Sequence, residues 1–345
     1  MRIAVAMSGG MDSTAAALLL RKDGHDVVGL HMNLHTRSQA SWVSAQEAAR
    51  LAGISIHRVD LSSEFRDTVI KPFVSAYARG RTPSPCLICN RHIKMTLLFD
   101  QARSLGYQKL ATGHYARIQP DTDMPVLMKG KDPAKDQSYF LSLLTREMLG
   151  RTLFPLGEYT KDQTRRLLMH EGICLWESDE SQELCFVPDG NYREFLLNEG
   201  VMPRPGFIVD AHGRPLGKHQ GIMGFTVGQR RGLGISAKEP LYVLRIDPTT
   251  DTVMVGTKEQ TFVSTLIIRN FNRLRPDKIS IGEQFEVKVR STAKPAHCTV
   301  EEASGDRLSL IFEDYQSGVA PGQAAVLYSE DRVVGGGWIE DCIQG

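Results

Sequence analysis

The chain has 345 residues, a formal net charge of +1, a hydrophobic fraction of 41% and a charged fraction of 23%. This composition excludes a disordered or fibrous protein, and at roughly 150 residues per domain the length predicts about two to three domains. The longest aliphatic run, residues 15–20, is far shorter than the ~20 residues of a membrane span, and the first residues lack the features of a signal peptide. We therefore expect a cytoplasmic protein with no membrane segment and with reduced cysteines.

The first part of the chain alternates short β-like runs with helical patterns. The predicted strands are residues 2–7, 27–32, 54–59 and 109–112, and the predicted helices are residues 13–22, 41–52 and 64–78. Strands separated by helices of this length are typical of βαβ units, which form a parallel sheet with helices on both faces. Proteins of this α/β class bind ligands at the carboxyl edge of the sheet.

The middle and the C-terminal parts of the chain differ in character. Helices are predicted at residues 137–149, 160–170 and 191–199, and Thr160 with Gln163 is typical of a capping box. Glycine, β-branched and turn residues dominate after residues 203–206, and residues 241–246 and 252–255 predict a β-hairpin. We place domain boundaries near residues 202 and 270.

Charge is unevenly distributed near the C-terminus. Residues 261–300 contain seven basic and three acidic residues, whereas residues 301–345 contain two basic and nine acidic residues. Such a segment is either a solvated charged face or a local patch that binds a polyanion such as nucleic acid.

The residues from Ser8 to Ser13, which read Ser-Gly-Gly-Met-Asp-Ser, lie between the first predicted strand and the first predicted helix. The glycines let backbone amides approach an anion closely, and the helix N-terminus favours negative charge. No lysine follows, so this is not a P-loop, and Asp12 repels a phosphate unless Mg²⁺ or a hydrogen-bond network intervenes. A tight turn with Asp12 as a helix cap is the structural alternative. The motif resembles the PP-loop of N-type ATP pyrophosphatases, which implies ATP binding and release of pyrophosphate.

Cys86 and Cys89 form a Cys-x-x-Cys motif before a helix predicted to begin near residue 90, and Cys185 follows later. A thiol at a helix N-terminus beside Arg91 and His92 is expected to have a lowered pKa. Three alternatives remain open: a Zn²⁺ site that includes His92, persulfide and disulfide chemistry, or a [4Fe–4S] cluster. The other cysteines have no partner spacing and are interpreted as core or surface residues: Cys174, Cys298 and Cys342.

Seven sequence blocks together make a more specific pattern. They are residues 8–13, residues 80–83 with 89–90, and residues 111–115, 135–141, 153–157, 228–234 and 321–323. In this order they resemble the tRNA-specific 2-thiouridylases of the MnmA family, over nearly the full chain. The resemblance implies an ATP-dependent enzyme that adenylates the 2-oxygen of a tRNA wobble uridine and replaces it with sulfur, releasing AMP and pyrophosphate.

The resemblance also implies three domains: a PP-loop α/β domain with a helical tRNA-binding extension at residues 1–202, a mainly β domain at 203–269 and a β-barrel at 270–345. The implied catalytic residues are Asp12, Cys89 and Cys185. The implied ATP-binding residues are Ala6, Met7, Ser8, Gly9, Gly10, Met11, Asp12, Ser13, Met32 and Gly113, with Mg²⁺ as a companion ion. The implied tRNA contacts are His114, Lys135, Asp136, Gln137, Arg290 and Gln323. The implied partners are a tRNA with a wobble uridine and a sulfur donor, either inorganic sulfide or a sulfur-carrier protein.

Cys86 departs from the family pattern, in which an aspartate commonly precedes the first catalytic cysteine by three positions. Related PP-loop tRNA thiolases hold a [4Fe–4S] cluster with three cysteines, so we favour a cluster on Cys86, Cys89 and Cys185. A Cys89 persulfide working with Cys185 is the second hypothesis, and structural Zn²⁺ is the third. Two other functions remain: a different PP-loop adenylating synthetase and a zinc-dependent RNA-binding module.

Overall fold

A computed structural model describes residues 1–34, 38–119, 124–173, 184–187 and 190–344. The strands are β1 (Arg2–Ala6), β2 (Asp26–Asn33), β3 (Ser55–Asp60), β4 (Lys109–Ala111), β5 (Ala116–Gln119), β6 (Val126–Lys129), β7 (Thr152–Leu153), β8 (Gly206–Val209), β9 (Pro215–His219), β10 (Tyr242–Asp247), β11 (Thr252–Gly256), β12 (Val263–Arg273), β13 (Gln284–Lys288), β14 (Ala296–Ser304), β15 (Arg307–Gln316), β16 (Ala324–Ser329) and β17 (Arg332–Gln344).

The α-helices are α1 (Met11–Lys22), α2 (Ser38–Ala52), α3 (Ser62–Phe65), α4 (Lys71–Ala78), α5 (Pro85–Ile88), α6 (Phe99–Ser104), α7 (Ser138–Leu141), α8 (Arg146–Gly150), α9 (Lys161–His170) and α10 (Tyr192–Asn198). Segments Arg66–Ile70 and Cys89–Leu98 are π-helical, and Ile222–Gly224 and Glu259–Thr261 are 3-10 turns. In the described part of the chain, every helix is too short or too polar to cross a membrane.

The chain divides into two compact units. The first comprises Met1–Val69, Cys86–Phe186 and Asp331–Val333. The second comprises Ile70–Pro85, Val187–Glu330 and Val334–Gly345.

The first unit is built on a parallel sheet with the strand order β3-β2-β1-β4-β7. Its central strand β1 is buried because helices cover the sheet, and Ile3 and Val5 pack in one core with Ala16 and Leu18 of α1. The chain adds β2 and β3 on one side of β1 and then β4 on the other side. The loops after β1 and β4 therefore flank a topological switch point, where α/β proteins bind ligands. The predicted parallel α/β fold is confirmed.

Helix α9 lies beside α1 in the first unit. Thr160 accepts a hydrogen bond from the Gln163 amide, and the Gln163 side chain accepts one from the Thr160 amide, so the predicted capping box is confirmed. Ion pairs join the two helices at both ends, between Asp12 and Lys161 and between Lys22 and Glu171. Because the N-terminal residues pair with each other and so do the C-terminal ones, α1 and α9 run in the same direction.

One predicted helix in this unit is wrong. Residues 137–149 form two short helices, α7 and α8, because Thr145 is extended and its side chain accepts a hydrogen bond from the Met148 amide. That hydrogen bond starts a new helix, so the periodic apolar pattern across this segment comes from two elements.

The second unit contains two β-structures. Strands β10, β11, β8 and β9 form a small mixed sheet, in which β10 and β11 are the predicted hairpin. Strands β12, β15, β14, β13, β16 and β17 follow one another, and pairing of β12 with β17 closes them into an antiparallel barrel. Its interior holds side chains such as Leu266, Leu310 and Leu327, all fully buried. The predicted small β region and C-terminal barrel are therefore confirmed as architecture.

Candidate active site

The loop after β1 has the backbone geometry that an anion site requires. Gly9 has a φ of +89°, and a Cβ at this position would lie 2.8 Å from the Ala45 amide nitrogen. The Ser13 hydroxyl donates to the Gly10 carbonyl over 3.0 Å and accepts from the Ser8 amide over 3.3 Å. Among the described residues no side chain caps α1, so Asp12 is not the helix cap that the structural alternative required. The amides at the start of α1 are thus left for a ligand.

Asp12 instead faces a lysine from a distant part of the sequence. The Lys161 ammonium lies 2.9 Å from each carboxylate oxygen of Asp12, and the Tyr115 hydroxyl donates to Asp12 over 2.8 Å. The same hydroxyl lies 3.0 Å from the Thr164 hydroxyl oxygen. Burial raises the pKa of Tyr115, and the negative charge of Asp12 acts in the same direction. Tyr115 therefore stays a neutral donor, and the Asp12 carboxylate is fixed in place by two partners.

The loop after β4 completes the edge of the sheet. Gly113 packs so closely on α1 that a Cβ there would lie 2.8 Å from the Asp12 carbonyl carbon. Met32 lies near the carboxyl end of β2, beyond the point where Ala6 pairs with Leu30. The structure thus brings the predicted ATP-binding residues of the β1 loop, β2 and the β4 loop to one edge of the sheet.

The cysteines of the motif lie within a helix. Pro85 begins α5, a favourable first position for proline, and Cys86 is in its first turn. Cys89 begins the π-helical segment that follows without interruption. The prediction that the helix begins near residue 90 is therefore wrong, because the proline starts the helix and does not precede it. Residues 184–187 hold the third thiol, Cys185, and its neighbour Phe186 packs edge-to-face on Phe65 at 5.7 Å.

The three thiols influence one another electrostatically. Burial raises the pKa of Cys89 to about 12, and negative charge on Cys185 or Cys86 raises it further, whereas Lys94 opposes the shift. Burial also raises the pKa of Cys86 and of Cys185, with Lys94 again acting in the opposite direction. Cys89 is buried, whereas Cys86 and Cys185 are partly desolvated by the surrounding protein but keep solvent-accessible surface. The predicted lowered pKa is wrong for Cys89, because this thiol is not at the helix N-terminus and desolvation of its thiolate outweighs the opposing charge of Lys94.

The metal site predicted on Cys86, Cys89 and Cys185 is not found as a group of ligands among the described residues. Across the described ranges, no three histidine, cysteine or acidic side chains are arranged to hold a metal ion. The cluster and zinc hypotheses for Cys86, Cys89 and Cys185 therefore gain no support from the described residues. Of the remaining cysteines, Cys298 is buried and Cys342 is half-buried, both as free thiols, and Cys174 lies outside the described residues.

Comparison with known proteins decides the family. Family models match residues 1–189 (tRNA methyl transferase HUP domain), 193–257 (tRNA methyl transferase PRC-barrel domain) and 263–339 (aminomethyltransferase beta-barrel domain). The tRNA-specific 2-thiouridylase MnmA of Syntrophotalea carbinolica is 45% identical over 98% of this chain and 98% of its own. Proteins of the same name from Geotalea uraniireducens (99% and 96% covered) and Rickettsia felis (98% and 96%) are 43% and 42% identical.

The chain belongs to the MnmA family of tRNA-specific 2-thiouridylases. The family resemblance predicted from the sequence blocks is therefore confirmed.

The tRNA contacts that MnmA membership implies in the first unit are tied into its fold. The His114 ring lies 2.6 Å from the Thr112 hydroxyl, and burial together with the Lys94 charge holds its pKa well below the ordinary value. Asp136 accepts hydrogen bonds from the Gly130 and Ser138 amides. Gln137 accepts one from the Tyr115 amide over 3.0 Å. His114 is thus neutral, and Asp136 and Gln137 brace the loop next to the nucleotide site.

The other two residues predicted to contact tRNA, Arg290 and Gln323, lie in the second unit. Arg290 is exposed after β13, and its guanidinium lies beside Gly318. Gln323 stands before β16, where its carbonyl accepts a hydrogen bond from the Ile339 amide over 2.8 Å. This main-chain bond fixes the turn and leaves the side chain of Gln323 outside the strand pairing.

Lys161 and His31 are among the site residues that the sequence did not predict, together with Tyr115 and Lys94. Lys161 is 149 positions from Asp12 along the chain, and its only sequence signal was its place after the Thr160 cap. His31 is buried at the end of β2, where its Nδ1 lies 2.9 Å from the Met7 carbonyl oxygen. Burial lowers the pKa of His31, so the ring is neutral and fixes the first residue of the nucleotide loop.

Proposed function

We propose that this chain is an ATP-dependent tRNA 2-thiouridylase that replaces the 2-oxygen of a wobble uridine with sulfur. The relatives that cover nearly its whole length carry that name. One structural observation supports it most directly: adjacent residues of the loop after β4 interact with the anion site and with the cation that acts on the thiols. Gly113 lies against Asp12, and the charge of Lys94 acts on the next residue, His114, as well as on Cys89. This arrangement supports the proposal that sulfur from these cysteines attacks a base adenylated at the loop.

In the first half-reaction, the uridine 2-oxygen attacks the α-phosphorus of ATP, and pyrophosphate leaves. This step converts a poor leaving group into AMP. The proposed ATP-binding residues are those of the β1 loop and the start of α1, together with Met32 and Gly113. Both oxygens of Asp12 already face Lys161, so Asp12 is not poised as a metal ligand, and Mg²⁺ enters with ATP as part of the substrate.

In the second half-reaction, we place the persulfide on Cys185 and not on Cys89 as the sequence suggested, because Cys185 is the exposed thiol of the proposed pair and Cys89 is buried. Its terminal sulfur attacks C2, the bond from C2 to the adenylated oxygen breaks, and AMP leaves. Cys185 is now joined to the uridine sulfur by a disulfide. The Cys89 thiol loses its proton to solvent and attacks the Cys185 sulfur, which forms a Cys89–Cys185 disulfide and releases 2-thiouridine. A dithiol reductant restores both thiols.

The [4Fe–4S] hypothesis does not gain support from this arrangement. The donor set has suitable chemistry, because three thiolates can hold such a cluster. The described side chains do not converge on a metal position, however, so we derive no step through a cluster or through zinc. The persulfide route needs Cys89 and Cys185 but gives no role to Cys86.

The proposed tRNA contacts are His114, Lys135, Asp136, Gln137, Arg290 and Gln323. A wobble base must leave its stack to reach the edge of the sheet, as in other base-modifying enzymes. The bracing of Asp136 and Gln137 against Gly130 and Tyr115 supports a pre-formed surface beside the loop. The division into domains at residues 1–202, 203–269 and 270–345 remains a prediction.

The test is a single turnover with wobble-uridine tRNA, ATP and a persulfide donor, without added reductant. Wild type is expected to give AMP, pyrophosphate and 2-thiouridine. Cys89→Ala is expected to stop at a protein–tRNA adduct that dithiothreitol releases, and Cys185→Ala is expected to give neither adduct nor product. Adenylation of small acids without any requirement for tRNA would contradict the proposed function.

Cys86→Asp separates the two sulfur routes. The persulfide route predicts that this variant, purified without oxygen, retains 2-thiouridine formation. The cluster route predicts about four irons and four sulfides per wild-type chain and loss of both the cluster and thiolation in the variant. Iron and sulfide analysis on both proteins decides between these outcomes.

A further inference from the structure

The nucleotide loop contains no positive side chain of its own. From residue 7 to residue 14 the only charged residue is Asp12, at the second position of α1. A carboxylate at this position repels a polyphosphate and cancels the attraction of the helix terminus. The positive charge comes instead from Lys161, the first residue of α9.

We propose that Lys161 binds the phosphate chain of ATP and that Asp12 and Tyr115 are positioning residues for its ammonium. The Lys161 side chain is 13% exposed and that of Asp12 is 35% exposed, so both partners of the pair retain contact with solvent. The Lys161 ammonium lies 2.9 Å from each carboxylate oxygen of Asp12. These two contacts hold it at the N-terminus of α1, where backbone amides favour an anion. The distant lysine thus takes the place of the loop lysine in a P-loop.

Three interpretations of the ion pair make different predictions. If Lys161 binds phosphate, its loss weakens binding of ATP both with and without Mg²⁺. If Asp12 is a Mg²⁺ ligand, Lys161 only competes with Mg²⁺ for the carboxylate. Loss of the lysine then frees Asp12 and tightens binding of Mg²⁺ and ATP. If the pair only holds α1 to α9, removing either partner has the same effect on stability and on binding.

The experiment measures equilibrium binding of ATP and of inorganic pyrophosphate, each with and without Mg²⁺, by calorimetry on the full chain without tRNA. The variants are Lys161→Met, Lys161→Arg and Asp12→Asn. Lys22→Met is the matched control, because Lys22 pairs with Glu171 at the other end of the same two helices. Thermal unfolding of each variant reports on the fold.

Lys161→Met is expected to weaken ATP and pyrophosphate binding by about tenfold to a hundredfold, the range of a hydrogen bond to a charged group. Lys161→Arg should recover part of this loss, and Lys22→Met should bind as wild type does. Asp12→Asn should bind Mg²⁺-free pyrophosphate more tightly than wild type, since a repelling charge is removed. Equal losses in Lys161→Met and Asp12→Asn, or unchanged or tighter binding in Lys161→Met, would overturn the proposal.

This inference rests on the proposed use of ATP, and the same experiment separates the two. Wild type that binds neither ATP nor pyrophosphate contradicts ATP use itself. If wild type binds both ligands and folded Lys161→Met binds them with the same affinity, only the role of Lys161 is contradicted. If Lys161→Met does not fold, Asp12→Asn still separates the two roles: a phosphate contact predicts tighter binding of Mg²⁺-free pyrophosphate, and a structural pair predicts weaker binding.

Discussion

At the scale of single residues, burial governs the chemistry of the thiols. Cys89 begins a π-helical segment inside the first unit, and desolvation raises the pKa of its thiol to about 12. Lys94, five residues later in the same segment, is the cation that favours the thiolate of Cys86, Cys89 and Cys185. The thiols are therefore mostly protonated at neutral pH, and Lys94 partly offsets the effect of burial on the thiolate.

The rate of Cys185 alkylation tests this balance. Because the pKa of this exposed thiol is raised, the iodoacetamide rate is expected to climb with pH without a plateau near neutrality. Lys94→Met is expected to slow the reaction several-fold at neutral pH, since the thiolate of Cys185 loses a nearby positive charge. Peptide mass spectrometry measures the labelling, with Lys22→Met as the control. A plateau below pH 7 would be incompatible with the raised pKa.

The two loop glycines offer a second, matched comparison. Gly9→Ala places a Cβ 2.8 Å from the Ala45 amide nitrogen at a φ of +89°, so it should lower stability by more than the ~1–2 kcal/mol cost of that conformation and abolish ATP binding. Gly10→Ala meets only the Ser8 hydroxyl oxygen at 3.6 Å and has an ordinary φ of −86°. Urea unfolding and ATP titration of both variants check this, and similar behaviour of the two would contradict it.

At the scale of elements, local sequence patterns predicted much of the frame around the site. The strands and helices from β1 to β3 were predictable because each has its own hydrophobic period and its own turn residues. The Thr160 capping box was predictable because all its partners lie within one turn. The break between α7 and α8 was missed, because a threonine inside an apolar pattern does not reveal that it caps a new helix.

The candidate site was predictable only in part, for a similar reason. The β1 loop, Gly113 and the three cysteines could be found from motifs, since motifs are local. The pairing of Asp12 with Lys161 could not, because it joins segments 149 residues apart. The raised pKa of Cys89 could not be predicted either, because it is caused by burial. Burial depends on tertiary packing, which a local helix-start pattern does not show.

The cap of α9 supports both the helix and the lysine that begins it. Thr160→Ala removes the hydrogen bond to the Gln163 amide and is expected to lower the free energy of unfolding by about 1 kcal/mol. ATP affinity should also fall, because Lys161 follows the cap directly. Thr160→Ser keeps an acceptor oxygen and should restore most of the stability in urea titrations. Equal destabilisation by alanine and serine would show that the cap is not the cause.

At the scale of the whole molecule, the charge imbalance of the sequence is partly neutralised by folding. Arg269 of the basic segment pairs with Glu340 of the acidic segment, and Arg275 pairs with Glu283 inside the basic segment. Arg290 is exposed and has no ion pair among the described residues. The positive charge available to an RNA backbone is therefore smaller than the residue count suggests, and Arg290 is part of it.

The salt dependence of tRNA binding measures this contribution. Arg290→Ala is expected to weaken binding and to reduce the slope of log affinity against log salt concentration by about 1, because one phosphate contact is lost. Arg269→Ala should leave the slope unchanged, because that guanidinium is already occupied by Glu340. Filter binding across a range of salt concentrations provides the data. An equal change of slope in both variants would count against a phosphate contact by Arg290.

The contacts of Asp12 have a consequence for folding during synthesis, because both of its partners are translated long after Asp12 itself. Asp12 emerges early, yet its partners Tyr115 and Lys161 lie 103 and 149 residues further along the chain. Domains generally fold from the N-terminal end during synthesis, so the loop passes through a period in which its one charge is uncompensated. A nascent chain that has not yet exposed α9 lacks Lys161, the partner that we propose for the phosphate chain of ATP. On that proposal, ATP is expected to bind only after synthesis has passed α9 (Lys161–His170).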